Sequence, residues 1–372
     1  MTLQRRGKQT EEKKPLTTKT SQLLVPTGST LLNLACADNP FGGWGLGRMI
    51  NLIGDSSSGK TLLTLSMFAE VCQDKRFDKY KLIFDDAEAA LSFNIEYLFG
   101  KRVKERVEIK DLEDVSDTVQ DLSGSLQKLC VDKTPFIYVI DSFDALSSEE
   151  EQEKDKVFMK KKKDRTDKEL SGSMGMERAK MGRRTLRQIC LNLKKTNSLL
   201  IIISQATVNV GWGFSDKTRA GGTALKFFAT HEMWLSIVKR HKSLGRTIGI
   251  NGKCKVSKNK LTGKEVPEVL IPIYYDYGID DIGANIDYLL EQNFWKREVK
   301  KKDKKKEQKK KKGEEKEKGN IIVTEWDFKG SRNKLIDYIE QENKERELQV
   351  MVHEAWQIFE EKLKLGRKPR YT

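Results

Sequence analysis

Cysteine and histidine are scarce in this chain, and their spacing builds no metal site. Among 372 residues there are five cysteines and three histidines, and no two cysteines form a C-x-x-C pair. The sequence therefore gives no indication of a zinc centre or of the disulfide framework typical of small secreted domains. We expect reduced, mostly buried thiols in a cytosolic protein. The cysteines are Cys36, Cys72, Cys130, Cys190 and Cys254, and the histidines are His231, His241 and His353.

Long apolar runs are absent as well. No stretch approaches the roughly 20 apolar residues that cross a bilayer, and the N-terminus has no apolar block like that of a signal peptide. The sequence therefore predicts a cytoplasmic location. A chain of 372 residues can bury a large core, which we expect as one main domain of roughly 250 residues with a small appendage.

Positive charge, in contrast, is in excess. Lysine and arginine number 70 against 55 aspartate and glutamate residues, which gives a formal net charge of +15 and a sequence pI near 9.3. Such an excess favours a polyanionic partner, either nucleic acid or an anionic surface. Solvated lysines on an ordinary soluble protein are the alternative explanation.

The most informative segment is G-D-S-S-S-G-K-T at residues 54–61, which fits the phosphate-binding pattern G-x-x-x-x-G-K-[ST]. A short apolar run precedes it and an apolar helical pattern follows it. Glycines let backbone N–H groups face phosphate oxygens, the helix N-terminus adds its positive dipole end, and the lysine supplies a cation. The threonine hydroxyl is a candidate ligand for Mg²⁺. The predicted nucleotide-binding residues are Gly54, Asp55, Ser56, Ser57, Ser58, Gly59, Lys60 and Thr61.

Apolar runs alternate with helical patterns through the middle of the chain. The runs at residues 49–53, 81–84, 136–140 and 199–203 are interpreted as buried strands. Continuous apolar strands separated by helices are typical of a parallel sheet that is covered on both faces. The sequence therefore predicts an α/β fold.

Composition divides the chain into segments. We predict a flexible basic tail at 1–22, a main domain at 23–282 and a small mixed C-terminal domain at 283–372. Two lysine-rich insertions, at 149–168 and 296–318, interrupt these domains. The predicted elements of the C-terminal domain are a strand at 321–328 and a helical segment at 334–364.

Acidic residues follow two of the predicted strands. Asp141 comes directly after the run at 136–140, where a carboxylate beside a phosphate loop holds Mg²⁺, usually through water. Another strand runs into Asp85, Asp86 and Glu88, and one of these carboxylates is a candidate base for the water that attacks the γ-phosphate. The residues alone leave the choice among the three open, with an exposed acidic loop as the alternative.

The strand at 199–203 ends in Ser204 and Gln205. A neutral amide at a strand end can hydrogen-bond the γ-phosphate and respond to its loss, so Gln205 is a candidate sensor. Residues 206–220 then carry apolar side chains at alternate positions, a pattern suited to stacking between splayed bases. These apolar residues are Val208, Val210, Trp212 and Phe214, and Lys217 and Arg219 are placed to meet phosphates.

Together these segments resemble the RecA-type recombinases of phage or bacteria, from about residue 23 into the C-terminal domain. The resemblance implies a RecA-like P-loop ATPase core with a mainly parallel sheet flanked by helices, plus a small mixed α/β C-terminal domain. It also implies ATP and Mg²⁺ as cofactors, single-stranded and duplex DNA as partners, and a homo-oligomer, either a helical filament or a ring. The matching segments, in order, are P-T-G-S at 26–29, the phosphate loop, D-A-E at 86–88, V-I-D-S at 139–142, S-Q at 204–205, G-G-T-A-L-K-F at 221–227 and K-N-K at 258–260.

The resemblance implies roles for individual residues. Glu88 falls on the family's catalytic glutamate, which decides among the three acids, and Gln205 falls on the glutamine that couples the γ-phosphate to the second DNA-binding loop. Lys258 and Lys260 fall on two lysines that reach a neighbour's ATP, like arginine fingers in trans; ordinary surface lysines are the alternative. Phe227 matches an aromatic residue at the same subunit interface.

DNA-binding residues follow from the resemblance in the same way. The first DNA-binding loop is expected near 171–176, and Val210 falls on the apolar residue that inserts between base triplets. The resemblance thus adds Met174, Lys180 and Arg187, in and after the first loop, to the DNA-binding residues predicted from the pattern of the second loop, which are Val208, Val210, Trp212, Phe214, Lys217 and Arg219.

The chain also departs from the family pattern. Its basic tail lacks apolar anchors like those of the N-terminal helix and strand that dock on the next subunit in the family, and Asp85 stands where an aliphatic residue is usual. The region near Tyr97 lacks a clear adenine-facing aromatic residue. The two insertions lie outside the common pattern; the second is expected either to contact duplex DNA or only to be solvated.

The sequence therefore predicts an ATP- and DNA-dependent recombinase of bacterial or phage origin that promotes homologous pairing and strand exchange in recombination and repair. One rival is a helicase-like motor of the same fold, and another is a recombination mediator whose ATP is structural. The predicted catalytic residues are Lys60, Glu88, Gln205, Lys258 and Lys260, and the predicted metal ligands are Thr61 and Asp141.

Overall fold

The computed structural model describes most of the chain. The described residues are 23–92, 94–147, 171–211, 214–219, 223–266, 268–298, 319–367 and 370, with side chains described over all of these except 171–183 and 208–224. The predicted tail at 1–22, the insertion at 149–168 and most of the insertion at 296–318 lie outside the described residues.

The strands of the described residues fall into three sheets. Their bounds are β1 Leu24–Val25, β2 Trp44–Gly45, β3 Arg48–Gly54, β4 Lys81–Asp85, β5 Val107–Ile109, β6 Phe136–Ile140, β7 Leu199–Gly211, β8 Phe214–Arg219, β9 His231–Ser243, β10 Arg246–Asn259, β11 Val269–Tyr274, β12 Gly278–Ile279, β13 Lys296–Arg297, β14 Ile321–Val323 and β15 Phe328–Gly330.

Helices connect these strands and cover the large sheet. Their bounds are α1 Thr30–Ala37, α2 Lys60–Gln73, α3 Ile95–Phe99, α4 Lys101–Arg106, α5 Val119–Val131, α6 Ser171–Thr196, α7 Thr223–Phe228, α8 Asp281–Glu291, α9 Arg332–Gln341 and α10 Glu345–Leu363. Within the described ranges, none of these helices combines the length and the apolar character that a bilayer-spanning segment needs.

The large sheet has the strand order β12-β11-β10-β9-β3-β7-β6-β4-β5, with β8 paired to β7. Neighbours from β9 to β5 are parallel, and the remaining pairs are antiparallel. Every residue of β6 is buried. Because side chains alternate across a strand, Ile137 and Val139 join the core under α1 and α2, whereas Tyr138 and Ile140 join the core under α5 and α6. The predicted α/β fold is confirmed.

The carboxyl ends of the parallel strands meet at one edge of this sheet. Gly54 at the end of β3 pairs with Gln205 of β7 on one side and with Leu235 of β9 on the other. Both neighbours continue beyond this level, β7 to Gly211 and β9 to Ser243. Two antiparallel hairpins, β7–β8 and β9–β10, therefore project from the edge on either side of the phosphate loop.

The C-terminal part differs in detail from the prediction. The segment at 321–328 is two short strands of the sheet β13-β14-β15, separated by a 3-10 turn, and the segment at 334–364 is two helices. Asp327 and Asn343 take left-handed φ values of 48° and 52°, which reverse the chain direction at each break. The predicted boundary at 282/283 falls in the first turn of α8, and the division into domains stays a prediction.

The expected first DNA-binding loop at 171–176 is wrong as a loop, because these residues form the first turns of α6. These six residues are two glycines, two serines and two methionines, and the residues that follow them in the same helix, rich in lysine and arginine, favour helix. Met174 and Lys180 lie on this helix, with side chains outside the described residues. Arg187 is exposed on the same helix.

Candidate nucleotide-binding site

The phosphate loop connects β3 to α2, and two of its glycines are dictated by their surroundings. Gly59, directly before α2, has a φ of 94°, a left-handed value that glycine adopts without strain. A Cβ on Gly54 would lie 2.6 Å from the carbonyl oxygen of Leu235 and 2.6 Å from Ser58 Oγ. The loop is therefore held close to β9.

Lys60 lies across its own loop. Its Nζ donates to the carbonyl oxygens of Gly54 at 2.9 Å and Asp55 at 2.8 Å, and to Gln205 Oε1 at 3.2 Å. The residue is 5% exposed. Burial lowers the pKa of Lys60, and nearby carboxylates, Asp141 first, oppose that shift. The arrangement holds a cation where the outer phosphates of a nucleotide would lie.

The predicted metal ligands, Thr61 and Asp141, are in direct contact. Thr61 Oγ1 donates to Asp141 Oδ2 at 2.6 Å. Burial raises the pKa of Asp141 to about 6, against the hydrogen bond from Thr61, which lowers it. A hydroxyl and a carboxylate are hard oxygen ligands of the kind that Mg²⁺ prefers, and Mg²⁺ takes its other ligands from water and phosphate. Within the described ranges, the buried Ser58 hydroxyl has no hydrogen-bond partner, so the loop fits a phosphate group.

The three acids at and after the end of β4 have different surroundings. Asp85 is fully buried and accepts from Lys110 Nζ at 3.1 Å and from the Tyr138 hydroxyl. Asp86 Oδ2 accepts from the backbone N–H of Leu91 at 2.8 Å, which closes a turn. Neither lines the nucleotide cleft, whereas Glu88 does. The geometry therefore leaves Glu88 as the acid that faces the cleft.

Glu88 and Gln205 form a hydrogen-bonded chain with Lys60. Glu88 Oε1 accepts from Ser142 Oγ at 2.5 Å and from Gln205 Nε2 at 3.1 Å. Gln205 Oε1 accepts from Lys60, and its backbone N–H donates to Asp144 Oδ2 at 2.6 Å. Because lysine only donates and the carboxylate only accepts, one orientation of the Gln205 amide satisfies both partners. Gln205 therefore bridges the cation and the candidate base.

These side chains line a cleft of about 410 Å³. Besides Leu62 of α2, its wall contains three further residues that the sequence did not mark as binding residues, namely Ile250, Ile273 and Tyr275. Tyr275 is 47% exposed, so an aromatic and aliphatic surface lies beside the polar cradle. A cleft with an apolar wall and convergent polar groups suits a ligand with a flat ring and a charged tail. The three residues lie in β10, in β11 and in the turn after β11. Their local sequence is that of ordinary strands, so nothing in it predicts a role in nucleotide binding.

The predicted second DNA-binding loop is a β-hairpin rather than an irregular loop. Val208 pairs with Lys217, Val210 with Ser215, and Gly211 with Phe214. Arg219 pairs with Ala206, next to Gln205. Trp212 lies outside the described residues, and so do the side chains of the hairpin from residue 208 onward. The hairpin is thus a direct continuation of the strand that carries Gln205.

Lys258, Lys260 and Phe227 lie together, as the resemblance implies. Phe227 is 66% exposed at the end of α7. Lys260 Nζ donates to the Phe227 carbonyl oxygen at 2.9 Å, and Lys258 Nζ donates to the carbonyl oxygens of Lys226 and Phe227. In a single copy, both lysines therefore rest on the carboxyl end of α7.

The two lysines are far from the phosphate loop of their own chain. Asn259, between them, pairs with His231, which pairs with Ile50 near the start of β3. Gly54, where the phosphate loop begins, lies four residues further along β3, about 13 Å at the usual rise of a strand. Lys258 and Lys260 therefore lie at the opposite edge of the sheet from their own cradle.

The fold and the site define a class of protein, the P-loop nucleoside triphosphatases with a RecA-like sheet. The model of the RecA N-terminal domain family matches residues 15–280. The chain therefore belongs to the RecA family.

Bacterial relatives agree with this assignment. The chain is 31% identical over 278 residues to Protein RecA of Xylella fastidiosa strain M12, which covers 72% of this chain and 70% of the relative. It is 31% identical over 275 residues to Protein RecA of Xanthomonas campestris pv. campestris strain B100, covering 72% and 71%. For Protein RecA of Colwellia psychrerythraea the identity is 29% over 271 residues, covering 73% and 71%.

Proposed function

We propose that this chain is a DNA-dependent ATPase of the bacterial cytoplasm that binds single-stranded DNA and promotes homologous pairing and strand exchange. The observation that carries the proposal is the position of Gln205. Its amide contacts Lys60 of the phosphate loop and Glu88, and its backbone continues into the β7–β8 hairpin. One residue thus belongs both to the nucleotide site and to the predicted DNA-binding element.

For hydrolysis, each polar group of the cleft has a distinct task. The backbone of residues 54–61 and Lys60 bind the triphosphate, and Thr61 with Asp141 hold Mg²⁺, which when bound neutralises charge on the phosphate oxygens. Glu88 accepts the proton of the attacking water. The hydrogen bonds from Ser142 and Gln205 to Glu88 Oε1 leave its other oxygen for that water.

A complete site takes residues from two copies of the chain. Lys258 and Lys260 are too far from their own phosphate loop to serve it, so in an assembly they supply cations to the ATP of a neighbour, as arginine fingers do in trans. The exposed Phe227 belongs to the same contact. A homo-oligomer, filament or ring, follows from this division of the site.

DNA and ATP are then coupled through Gln205. Bound γ-phosphate competes for Lys60 and for the Gln205 amide, and so changes the contacts at the base of the hairpin. Linkage requires the converse, that single-stranded DNA on the hairpin tightens ATP binding by the same factor. Hydrolysis removes the γ-phosphate and releases the DNA.

The variant Lys60→Ala tests the coupling. Without the cation in the cradle, we expect ATP to stimulate neither single-stranded DNA binding, measured by fluorescence anisotropy, nor phosphate release. The matched control is Lys329→Ala, which removes an exposed lysine of the C-terminal sheet and should behave as the wild type does. Retained ATP-stimulated DNA binding by Lys60→Ala would contradict the coupling.

A strand-exchange assay with the wild-type chain tests the outcome. We expect ATP-dependent pairing of single-stranded DNA with a homologous duplex. Duplex unwinding without exchange would indicate a helicase-like motor instead. Intact ATP binding with negligible DNA-stimulated turnover would indicate a recombination mediator.

A further inference from the structure

The turn that carries Lys258 and Lys260 is tied to the carboxyl end of α1. Asn259 Nδ2 donates to the carbonyl oxygens of Ala35 at 3.3 Å and Cys36 at 3.0 Å. Asn259 Oδ1 accepts from the backbone N–H groups of the two residues after Lys260, at 3.0 and 3.1 Å. The asparagine between the lysines therefore fixes both the shape of the turn and its place on α1.

Lys264, at the far side of the same turn, joins α1 to the C-terminal part of the chain. Its Nζ donates to Asp38 Oδ2 at 2.7 Å and to Glu360 Oε2 at 2.6 Å. Asp38 ends α1 in a left-handed conformation, and its other oxygen accepts from Trp356 Nε1 at 3.3 Å. Glu360 and Trp356 both lie on α10. One ammonium group thus connects the lysine turn, α1 and α10.

The exposure of this cluster indicates that its role is geometric. The side chains of Lys264, Asp38 and Glu360 are 41%, 25% and 16% exposed. Ion pairs this accessible to water contribute little to the free energy of unfolding. They do fix local geometry here, because two carboxylates from different elements share one cation. Without that cation the two carboxylates would repel each other, and the turn would lose its second attachment.

We propose that Lys264, together with Asp38 and Glu360, is a positioning residue that sets where Lys258 and Lys260 reach a neighbouring copy. This inference rests on the proposed in-trans role of the two lysines. In a single copy their ammonium groups are held by the carboxyl end of α7, and in an assembly they move to the neighbour's cleft. The backbone of the turn then has to stay fixed while the side chains of Lys258 and Lys260 move. The hydrogen bonds and ion pairs to α1 and α10 hold that backbone in place.

The variant Lys264→Met keeps the length of the side chain and removes its charge. Misplacement of a catalytic group by about 1 Å can cost up to about a hundredfold in rate, and we expect DNA-stimulated kcat to fall about tenfold. The KM for ATP should change little, because the cradle of the same chain is intact. Lys264→Arg, which keeps the cation, should retain activity. Lys329→Met, which breaks an exposed ion pair with Glu298 in the small C-terminal sheet, is the control.

Mixed assemblies separate positioning in trans from damage within one copy. Lys60→Ala copies have no working cradle but carry intact lysine turns. Adding them to Lys264→Met copies should raise turnover per Lys264→Met copy, because intact turns now face working clefts. An absence of any rise would overturn the inference. Thermal unfolding of each variant checks the fold, and Glu360→Gln is the second variant if Lys264→Met does not fold.

The double variant Lys258→Ala, Lys260→Ala distinguishes this inference from the proposed function. Inactivity of the double variant together with wild-type turnover of Lys264→Met would overturn the positioning role alone. Full DNA-stimulated turnover of the double variant would overturn the in-trans role and the inference together. The expected result is that the double variant is inactive and Lys264→Met is strongly impaired.

Discussion

At the scale of single residues, His231 is a buried base with two fixed partners. It is fully buried at the start of β9, and its Nε2 lies 3.2 Å from the Cys36 carbonyl oxygen and 3.1 Å from Asn259 Oδ1. Burial lowers the pKa of His231 to about 4, against these hydrogen bonds, which raise it; the charge of Arg48 lowers it further. The folded chain therefore holds His231 neutral.

Because His231 is held neutral, we expect the folded chain to lose stability at acidic pH. Between the folded pKa of about 4 and the unfolded value of 6.5, the unfolded chain binds the extra proton. The contribution of His231 to the free energy of unfolding is thus fully present above pH 6.5. It is lost as the pH falls towards 4, and the total loss is on the order of 3 kcal/mol. His231→Gln should reduce the difference in free energy of unfolding between pH 7 and pH 4.5, measured by urea denaturation. An equal pH dependence in variant and wild type would show that His231 is not held neutral.

Asp85 and Glu88 show what a sequence can decide at this scale. Both are acids at the carboxyl end of the same strand, Asp85 as its last residue and Glu88 three residues later, and their surroundings distinguish them. Lys110 and Tyr138, which enclose Asp85, come from distant parts of the chain, so nothing local marks Asp85 as structural. The family resemblance predicted Glu88 as the catalytic base, and in the structure Glu88 is the one of the three acids that lines the cleft. Tyr275 was missed because an aromatic residue beside a strand has many ordinary roles.

At the scale of elements, the β7–β8 hairpin is the proposed contact with single-stranded DNA. Its sequence alternates apolar residues at Val208, Val210, Trp212 and Phe214. Base stacking on an aromatic side chain contributes about 1 to 3 kcal/mol per base. We therefore expect Trp212→Ala or Phe214→Ala to weaken single-stranded DNA affinity by about 5- to 150-fold, measured by anisotropy with ATP present.

The control for this prediction is Leu244→Ala, at the exposed tip of the other hairpin. It removes an exposed apolar side chain that lies outside β7 and β8. Unchanged affinity in both aromatic variants would place these side chains away from the bases.

Element types were easier to predict than element ends. Residues 136–140 form a strand with the predicted bounds, because a continuous apolar run can only be buried. β7 extends beyond 203 to Gly211 because β8 supplies a partner strand, and such a partner is not visible in the local pattern. The helical start of α6 was missed because the loop at 171–176 was expected from the family resemblance alone, whereas in this chain the helix that follows extends back to Ser171.

At the scale of the whole molecule, the net charge of +15 indicates a role in binding polyanions. Part of this charge comes from the lysine-rich insertion at 296–318. If its lysines contact duplex DNA, the logarithm of the duplex affinity should fall less steeply with the logarithm of the salt concentration after deletion of residues 300–318. The slope should become less negative by roughly 0.9 for each lost phosphate contact. Titrations of duplex DNA at several salt concentrations measure the slope. An unchanged slope would show that the insertion is only solvated.

The general architecture was predictable because its signals are local and redundant. A phosphate loop between strand and helix, acids at strand ends and the K-N-K turn occur in a fixed order, and each fits the same fold. How the turn is attached to α1 and α10 was not predictable, because Lys264, Asp38 and Glu360 are separated widely in the chain. Ordinary charged residues acquire such a role only when folding brings them together.

The placement of the lysine turn and the phosphate loop at opposite edges of one sheet has a consequence for growth. In the proposed assembly, Lys258 and Lys260 of each copy enter the nucleotide cleft of the next copy. The copy at one end of such a row therefore has a cleft without the neighbour's lysines, and the copy at the other end has lysines that enter no cleft. Such a head-to-tail contact does not close on itself in a pair. In the proposed assembly, addition and loss of copies at the two ends therefore involve different contacts, and the row has a direction.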